Sequence, residues 1–220
     1  MTVALCFSGH LRSYKNAYAS IKKNIIDVCN PDVYIHCWDK EGYDGVRGDA
    51  LSINRPVDID WLQEYYKPVT LCIEPMPYWQ HNFVVKPNIG LRHPQIPMGI
   101  FYGIYKANSL LSQPYDIVIR CRPDLMLYHS IDLATCQDGI AFPAFGKYGG
   151  LADQFFFGRS DKMKLMCSTY TILHTLYNNG CDFHAESLVK ATCDYYKLPV
   201  YFSNIKYDLL RTDGSIFKLA

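Results

Sequence analysis

The 220-residue sequence has no excess of either charge, since 22 Lys and Arg residues stand against 21 Asp and Glu residues. Without a basic field, it gives no indication of a nucleic-acid partner. No uncharged stretch approaches the length that spans a bilayer, and the apolar run at the amino terminus is too short for a signal-peptide core. We therefore expect a cytoplasmic protein with no transmembrane segment.

The sequence also lacks the common signatures of metal and phosphate sites. Its nine cysteines are scattered and contain no CxxC pair, so we interpret them as reduced core residues and expect no zinc site. Neither the GxGxxG of dinucleotide sites nor the GK[ST] of P-loops is present. The chain has no internal repeat or linker, and its length fits one domain.

Short apolar runs alternate with helical patterns. The predicted strands are 2–7, 32–38, 69–74, a run around 117–119, 139–142, the aromatic run after 154, and 198–202. The predicted helices are 14–29, one beginning near 58, 98–111, 159–178 and 184–196. This order predicts an α/β fold of Rossmann type, with a mostly parallel central sheet flanked by helices.

The one literal Asp-x-Asp of the chain, Asp58-Ile59-Asp60, follows Arg-Pro-Val instead of an apolar strand. Acids in the first turn of a helix complement its positive end. We therefore assign this motif to helix capping, with Asp58 as the N-cap, and not to metal binding.

The segment Tyr115–Leu127 (YDIVIRCRPDLML) gathers charge at the end of an apolar strand, where Arg120, Arg122 and Asp124 follow Ile117–Ile119. Ligands of open α/β sheets sit outside the carboxyl ends of the strands. A carboxylate there can hold a divalent cation, and two guanidiniums can fork onto phosphates. A surface salt bridge at a strand end is the alternative.

Together with the preceding helix, Met98–Leu111, this segment resembles a group of small GT-A-type glycosyltransferases from polysaccharide gene clusters and large DNA viruses of algae. In many GT-A enzymes such a strand ends in Asp-x-Asp, which binds the metal of a nucleotide-sugar diphosphate. Here the sequence reads Arg122-Pro123-Asp124, so one of the two carboxylates is missing. The resemblance implies a GT-A-like fold and Mn²⁺ or Mg²⁺ on Asp124, and His184 is a candidate for a second metal ligand. It further implies a nucleotide-sugar-binding half, 1–127, and an acceptor-side half, 128–220.

Residues 8–13 (SGHLRS) form the predicted turn from the first strand into a helix. Glycine permits a tight turn, the helix N-terminus offers free amides to an anion, and Arg12 can contact a phosphate. An ordinary turn with Ser8 and Ser13 as caps is the alternative. In the resembled enzymes this loop receives the nucleotide. The nucleotide-sugar site is accordingly predicted to contain Ser8, Gly9, His10, Arg12, Asp39, Lys106, Arg120, Arg122 and Asp124.

Several of these assignments rest on position. Asp39 follows the second predicted strand, where His36 and Trp38 share one face and could stack a base. Lys106 could reach a diphosphate from its helix, although an exposed lysine is the alternative. Arg211 and Asp213 lie in a polar C-terminal turn that could close over phosphates.

Two acids are candidates for catalysis. Asp153-Gln154 precedes an aromatic strand and matches a turn that the resembled enzymes use beside the acceptor. Asp153 could deprotonate or bind an acceptor hydroxyl, whereas an Asx turn is the alternative. Glu186 occupies a position where the resembled enzymes have an acid near the reaction centre, and helix capping is its alternative.

The long connection 75–97 carries five prolines together with Tyr78, Trp79, His81, Phe83 and His93. Its aromatics favour a folded flap over disorder. Such a flap could cover the donor or shape the acceptor site, or simply pack its own aromatics at the surface.

The sequence therefore leads us to expect a glycosyltransferase that moves a sugar from a nucleotide-diphosphate sugar to a glycan or glycoprotein hydroxyl. A uridine donor is favoured by the resemblance, as is the host cytoplasm if the chain is viral. A non-catalytic nucleotide- or glycan-binding relative is one alternative. A sulfotransferase that uses residues 8–13 for phosphates is another, although no P-loop-like pattern supports it.

Overall fold

The structure is a computed structural model that describes residues 1–42, 55–84, 94–145 and 148–219. Its strands are β1 (Val3–Gly9), β2 (Asp32–Trp38), β3 (Thr70–Glu74), β4 (Ile117–Cys121), β5 (Leu125–Leu127), β6 (Ile140–Pro143), β7 (Phe155–Arg159), β8 (Val200–Ser203), β9 (Tyr207–Leu210) and β10 (Ile216–Phe217). Its helices are α1 (Tyr14–Ile21), α2 (Asp27–Cys29), α3 (Ile59–Tyr65), α4 (Gln95–Ser109), α5 (Ser160–Cys167), α6 (Thr169–Asn178) and α7 (Ala185–Tyr196). A π-helical segment, Lys22–Ile26, joins α1 to α2, and a 3₁₀ turn covers Leu133–Cys136.

Seven strands form the central sheet in the order β3-β2-β1-β4-β7-β6-β8. The first four run parallel, β7 is antiparallel to both of its neighbours, and β8 is parallel to β6. The expected α/β fold, with one mostly parallel sheet flanked by helices in a single domain, is confirmed. The division into halves 1–127 and 128–220 stays a prediction, and both halves contribute strands to this sheet.

Two cores lie on opposite faces of the sheet, because successive strand residues point in opposite directions. In β1, Leu5 and Phe7 pack into the core shared with α1 and α3, whereas Ala4 and Cys6 pack into the core shared with α4 to α7. Burial on both faces explains why the strands are apolar almost without interruption.

A second, three-stranded antiparallel sheet has the order β10-β9-β5. It continues directly from the charged segment, since β5 begins one residue after Asp124. The Leu210 amide at the end of β9 donates to the Asp124 carbonyl at 2.9 Å. The sequence predicts a polar turn in this region but not the two strands β9 and β10.

The helices differ from expectation in three places. The helix predicted over 14–29 contains the π-helical segment, and α4 begins at Gln95 instead of Met98. The helix predicted over 159–178 is two helices, because the chain breaks at Ser168 (φ −79°, ψ 4°), whose hydroxyl donates to the Leu165 carbonyl. The capping role of Asp58 is confirmed, since its carboxylate accepts from the Trp61 amide at 3.1 Å. Within the described ranges, no helix combines the length and apolar character needed to cross a membrane.

The described part of the proline-rich connection, 75–84, is folded against α6. The Trp79 indole donates to the Tyr170 hydroxyl at 3.1 Å, and the Phe83 ring stacks on Phe183 with centroids 4.0 Å apart. This part is therefore packed against the protein, and its role in covering the donor or shaping the acceptor site stays a prediction. Residues 85–93 with His93, most of the predicted loop 40–55, and residues 146 and 147 lie outside the described residues.

Candidate functional site

A cavity of about 360 Å³ lies at the edge of the central sheet where the parallel strands β1, β2 and β4 end. Because β7 runs the other way, its beginning meets the same edge. The amino-terminal part of α4 and the end of β9 complete the wall. Ligands of open α/β sheets bind at this kind of edge, and the volume lies within the range of small-molecule sites.

Four arginines face this cavity: Arg12, Arg120, Arg122 and Arg211. Among the described residues of its lining, Asp153 is the one acid. Apolar side chains, including Trp38, Met76 and Ile100, form much of the remaining wall. Such a wall favours a ligand that combines negative charge with an apolar or aromatic part.

Arg122 and Asp124 form a two-pronged ion pair beside the cavity, which we call the fork. Arg122 Nε donates to Asp124 Oδ1 at 3.0 Å, and Nη2 donates to Oδ2 at 2.6 Å. Arg12 Nη1 lies 3.7 Å from the same Oδ2. Burial lowers the pKa of the Arg122 guanidinium, but the charge and hydrogen bonds of Asp124, together with the charge of Asp153, outweigh burial, so the pKa is raised. Arg122 therefore stays charged while three of its five N–H groups remain for other partners.

The predicted metal residues are engaged with other groups. Asp124 is fully buried, is not among the cavity-lining residues, and has both oxygens on Arg122. His184 Nδ1 lies 2.8 Å from Glu186 Oε2, although the contact lacks hydrogen-bond alignment. A divalent cation at Asp124 would have to displace a guanidinium, so the residues present do not fit the predicted metal. The cation itself stays a prediction.

A different cluster of possible metal ligands exists elsewhere in the described structure. One ligand atom each from His36, Cys72 and Glu74 lies within 4.8 Å of the others. His36 Nε2 and Glu74 Oε1 already share a hydrogen bond of 2.8 Å, and Lys106 Nζ lies 3.6 Å from Glu74 Oε2. The ammonium group beside Glu74 disfavours a cation there.

Three buried polar atoms in the cavity wall have no hydrogen-bond partner among the described residues. They are Ser8 Oγ, Arg120 Nε and Gln154 Oε1. Leaving a buried polar atom unpaired costs about 1–3 kcal/mol, so natural proteins rarely do so without a ligand or water. The hydroxyl of Ser8, the Nε–H donor of Arg120 and the amide oxygen of Gln154 are therefore candidates for hydrogen bonds to a polar ligand or a bound water.

Arg120 is held at the end of β4 by the chain that leads into β7. Its Nη1 donates to the Gln154 carbonyl at 2.6 Å, and the Arg122 amide donates to the same carbonyl at 3.0 Å. Burial lowers the pKa of the Arg120 guanidinium, and the nearby negative charge of Asp153 opposes this decrease in part. Arg120, Arg122 and Asp153 thus form one rigid corner of the cavity.

The loop between β1 and α1 contributes four of the predicted residues, Ser8, Gly9, His10 and Arg12, to the cavity wall. Gly9 has φ 108°, which requires glycine, and Arg12 has φ 48°, which a side chain adopts at a cost. The Arg12 amide is fixed by the Glu41 carbonyl at 2.7 Å. Burial and the charge of Arg12 lower the pKa of His10 to about 4, so His10 is neutral near pH 7.

Ser13 occupies the N-cap position of α1, but its side chain makes no capping hydrogen bond. Its hydroxyl donates to the Arg211 carbonyl at 2.6 Å. The turn after β9 is thereby tied to the turn after β1, and Arg211 is brought to the cavity. The predicted approach of this C-terminal turn to the site is consistent with its position in the cavity wall.

The two predicted catalytic acids lie at different depths. Asp153 is 3% exposed and lines the cavity, whereas Glu186 is fully buried and does not. The Glu186 carbonyl accepts from the Leu151 amide at 3.0 Å, and a Cβ on Gly150 would lie 2.0 Å from that carbonyl oxygen. The start of α7 therefore supports the segment that carries Asp153, and glycine permits the close approach.

Two other predicted residues lie outside the cavity wall. The Asp39 amide donates to the Glu74 carbonyl at 3.0 Å, and the Lys106 ammonium pairs with the Glu74 carboxylate. Sequence reasoning missed Phe217 and Leu219, which line the cavity from the C-terminal segment. Their signal was the apolar pair Ile216-Phe217 after Gly214, a pattern typical of a short hairpin.

No family model matches the chain, and a search of curated proteins finds no match. A functional assignment therefore has to come from the chemistry of the cavity. Its distinguishing features are the guanidinium groups, the three unpaired polar atoms and the adjoining Asp153 carboxylate.

Proposed function

We propose that the chain is a GT-A-type glycosyltransferase. It moves a sugar from a nucleotide-diphosphate sugar, with a uridine donor favoured, to a hydroxyl of a glycan or glycoprotein in the cytoplasm. The observation that carries the proposal is the cationic cavity at the carboxyl ends of β1 and β4, with unpaired Ser8, Arg120 and Gln154 atoms in its wall.

The leaving group of such a donor explains the charge of the cavity. When the bond from the sugar to the diphosphate breaks, negative charge accumulates on the diphosphate, and fixed cations that face it lower the barrier. Guanidinium groups suit phosphate oxygens because their donors form a planar fork. Apolar groups such as Trp38 and Met76 offer a surface to the base or sugar.

Asp153 is the group best situated to act on the acceptor. In an inverting reaction its carboxylate takes the proton of the acceptor hydroxyl, the hydroxyl oxygen bonds to the anomeric carbon, and the nucleoside diphosphate leaves with the bonding electrons. Glu186 acts by supporting the Asp153 segment through the Leu151 amide and the contact with Gly150.

The test is donor turnover by the wild type, Asp153→Asn and the matched control Asp161→Asn, whose side chain is 69% exposed. UDP- and GDP-sugars are incubated with a panel of oligosaccharides, and the released nucleotide and the product mass are measured. We expect release by the wild type and the control, and a kcat lower by about 10²–10⁴-fold in Asp153→Asn.

Release that is equal in Asp153→Asn and the wild type would remove Asp153 from the reaction. Binding of a sugar nucleotide without release, in the presence of every acceptor, would leave a non-catalytic binding protein as the better assignment. In a thermal-shift measurement, a rise in Tm with an adenosine phosphosulfate and with no sugar nucleotide would make a sulfotransferase the better assignment.

A further inference from the structure

We infer that the guanidinium groups of Arg12 and Arg122 bind the donor diphosphate without a divalent cation, and that Asp124 is the positioning residue that orients both of them. This inference rests on the proposed function and specifies how its site holds the diphosphate. Asp124 then contributes to the reaction through the arginines and touches neither the substrate nor a metal.

The first support is the way Asp124 is occupied. Its two oxygens accept from Arg122 at 3.0 and 2.6 Å, and Arg12 Nη1 approaches Oδ2 to 3.7 Å. Mg²⁺ binds oxygen at about 2.0–2.1 Å in a near-octahedral shell and usually keeps several waters. A fully buried carboxylate that carries a guanidinium on each oxygen offers no room for such a shell.

The second support is charge balance. Arg12, Arg120, Arg122 and Arg211 face the cavity, and Asp124, Asp153 and Asp213 are acids of the described structure that lie near these guanidiniums. Among the described residues of the cavity lining, Asp153 is the one acid, so guanidinium groups outnumber carboxylates there. A nucleotide-diphosphate sugar carries one negative charge on each of its two phosphates, and these guanidiniums supply the opposite charge that a metal ion would otherwise supply.

The third support is that both guanidiniums are fixed before any ligand arrives. Asp124 holds both of them: Arg122 is locked by the fork, and Arg12 Nη1 lies 3.7 Å from Oδ2. The Arg12 backbone amide is held in turn by the Glu41 carbonyl. Cations fixed in this way need little reorganisation when a phosphate binds or when charge develops on it. Without Asp124, two neighbouring guanidiniums would repel each other and separate.

The experiment is calorimetric titration of UDP, GDP, UMP and inorganic pyrophosphate into the full chain, in EDTA and in Mn²⁺. For the nucleoside diphosphate that binds, we expect its Kd in EDTA and in Mn²⁺ to agree within about threefold. Arg122→Gln should weaken that binding by about 10- to 100-fold in EDTA. The control Arg159→Gln, at an exposed position beside the opposite end of β4, should leave it unchanged.

Asp124→Asn separates positioning from charge. The substitution adds one positive charge to the cavity, so charge alone predicts tighter binding of the diphosphate. Loss of the fork predicts binding weaker by about 10-fold, with a smaller loss for UMP, and this is the result we expect. Thermal unfolding of each variant verifies that it is folded. The comparison of UMP with UDP is a second control, because a general loss of structure would weaken the binding of both nucleotides equally.

The outcomes distinguish the two proposals. Binding of UDP or GDP that requires Mn²⁺ and disappears in Asp124→Asn would overturn this inference and leave the glycosyltransferase proposal standing. Unchanged or tighter diphosphate binding in Asp124→Asn would overturn the positioning role. Binding of neither nucleotide under either condition would overturn the proposed function itself.

Discussion

Removing the Asp124 carboxylate should lower the free energy of unfolding far more than removing an exposed carboxylate such as that of Asp161. Asp124 is fully buried, and Asp124→Ala removes the carboxylate that both accepts the hydrogen bonds of the Arg122 guanidinium and balances its charge in a largely buried site. Breaking a buried ion pair by removing one partner costs about 3–5 kcal/mol. For a chain of this size, each kcal/mol lowers Tm by about 2–4 °C, so the expected decrease is about 6–20 °C.

The assay is urea unfolding at pH 7 together with a thermal scan of the wild type, Asp124→Ala and the double variant Arg122→Met/Asp124→Leu. The double variant should recover most of the loss, because apolar residues of similar volume often replace a buried ion pair at no cost. Asp161→Ala is the exposed control and should change the free energy of unfolding by less than about 0.5 kcal/mol. If Asp124→Ala cost no more than this control, the buried fork would not exist in solution.

Three further substitutions test other parts of the site. Gly150→Ala should destabilise the protein, because its Cβ would lie 2.0 Å from the Glu186 carbonyl oxygen. Urea unfolding compares it with Gly180→Asn, which has open space and a φ of 87° that asparagine tolerates. Ser8→Ala should leave the free protein equally or more stable by up to about 1 kcal/mol while weakening ligand binding, because the Ser8 hydroxyl is buried without a partner. Lower stability of Ser8→Ala in the same unfolding assay would mean that the hydroxyl is already paired. The pKa of His10 falls from 6.5 to about 4 on folding, so the unfolded chain binds more protons between these values. The free energy of unfolding of the wild type should then decrease by about 3 kcal/mol as the pH falls from 6.5 to about 4. His10→Asn should lack this part of the decrease. Identical pH profiles of the unfolding free energy in the two proteins would contradict the prediction.

Much of the fold could be predicted because the main strands are apolar on both faces. The run at 32–38 predicted β2 with its observed bounds, and the Arg-Pro-Val before Asp58 distinguished a helix cap from a metal motif. The loop after β1 was recognisable as well, since a strand followed by Ser-Gly and an arginine leads into a helix. Local sequence was sufficient for each of these.

The partners of the charged residues could not be predicted in the same way. Asp124 and Arg122 are two positions apart around a proline, and only the bend between β4 and β5 brings their side chains together. Lys106 pairs with Glu74 across 32 positions of sequence. Strand β9 is short and pairs with β5, about 80 positions earlier in the chain, a partner that no local pattern reveals.

The most direct test of the central claim is a calorimetric titration of UDP and GDP into the wild type and into Arg120→Met. Methionine fills a similar volume, and the Gln154 carbonyl that loses Arg120 keeps the Arg122 amide, so the variant should fold. The cavity predicts that one nucleotide binds the wild type and binds the variant at least about 10-fold more weakly. No heat with either nucleotide, or equal affinity in both proteins, would contradict a nucleotide-diphosphate site in this cavity.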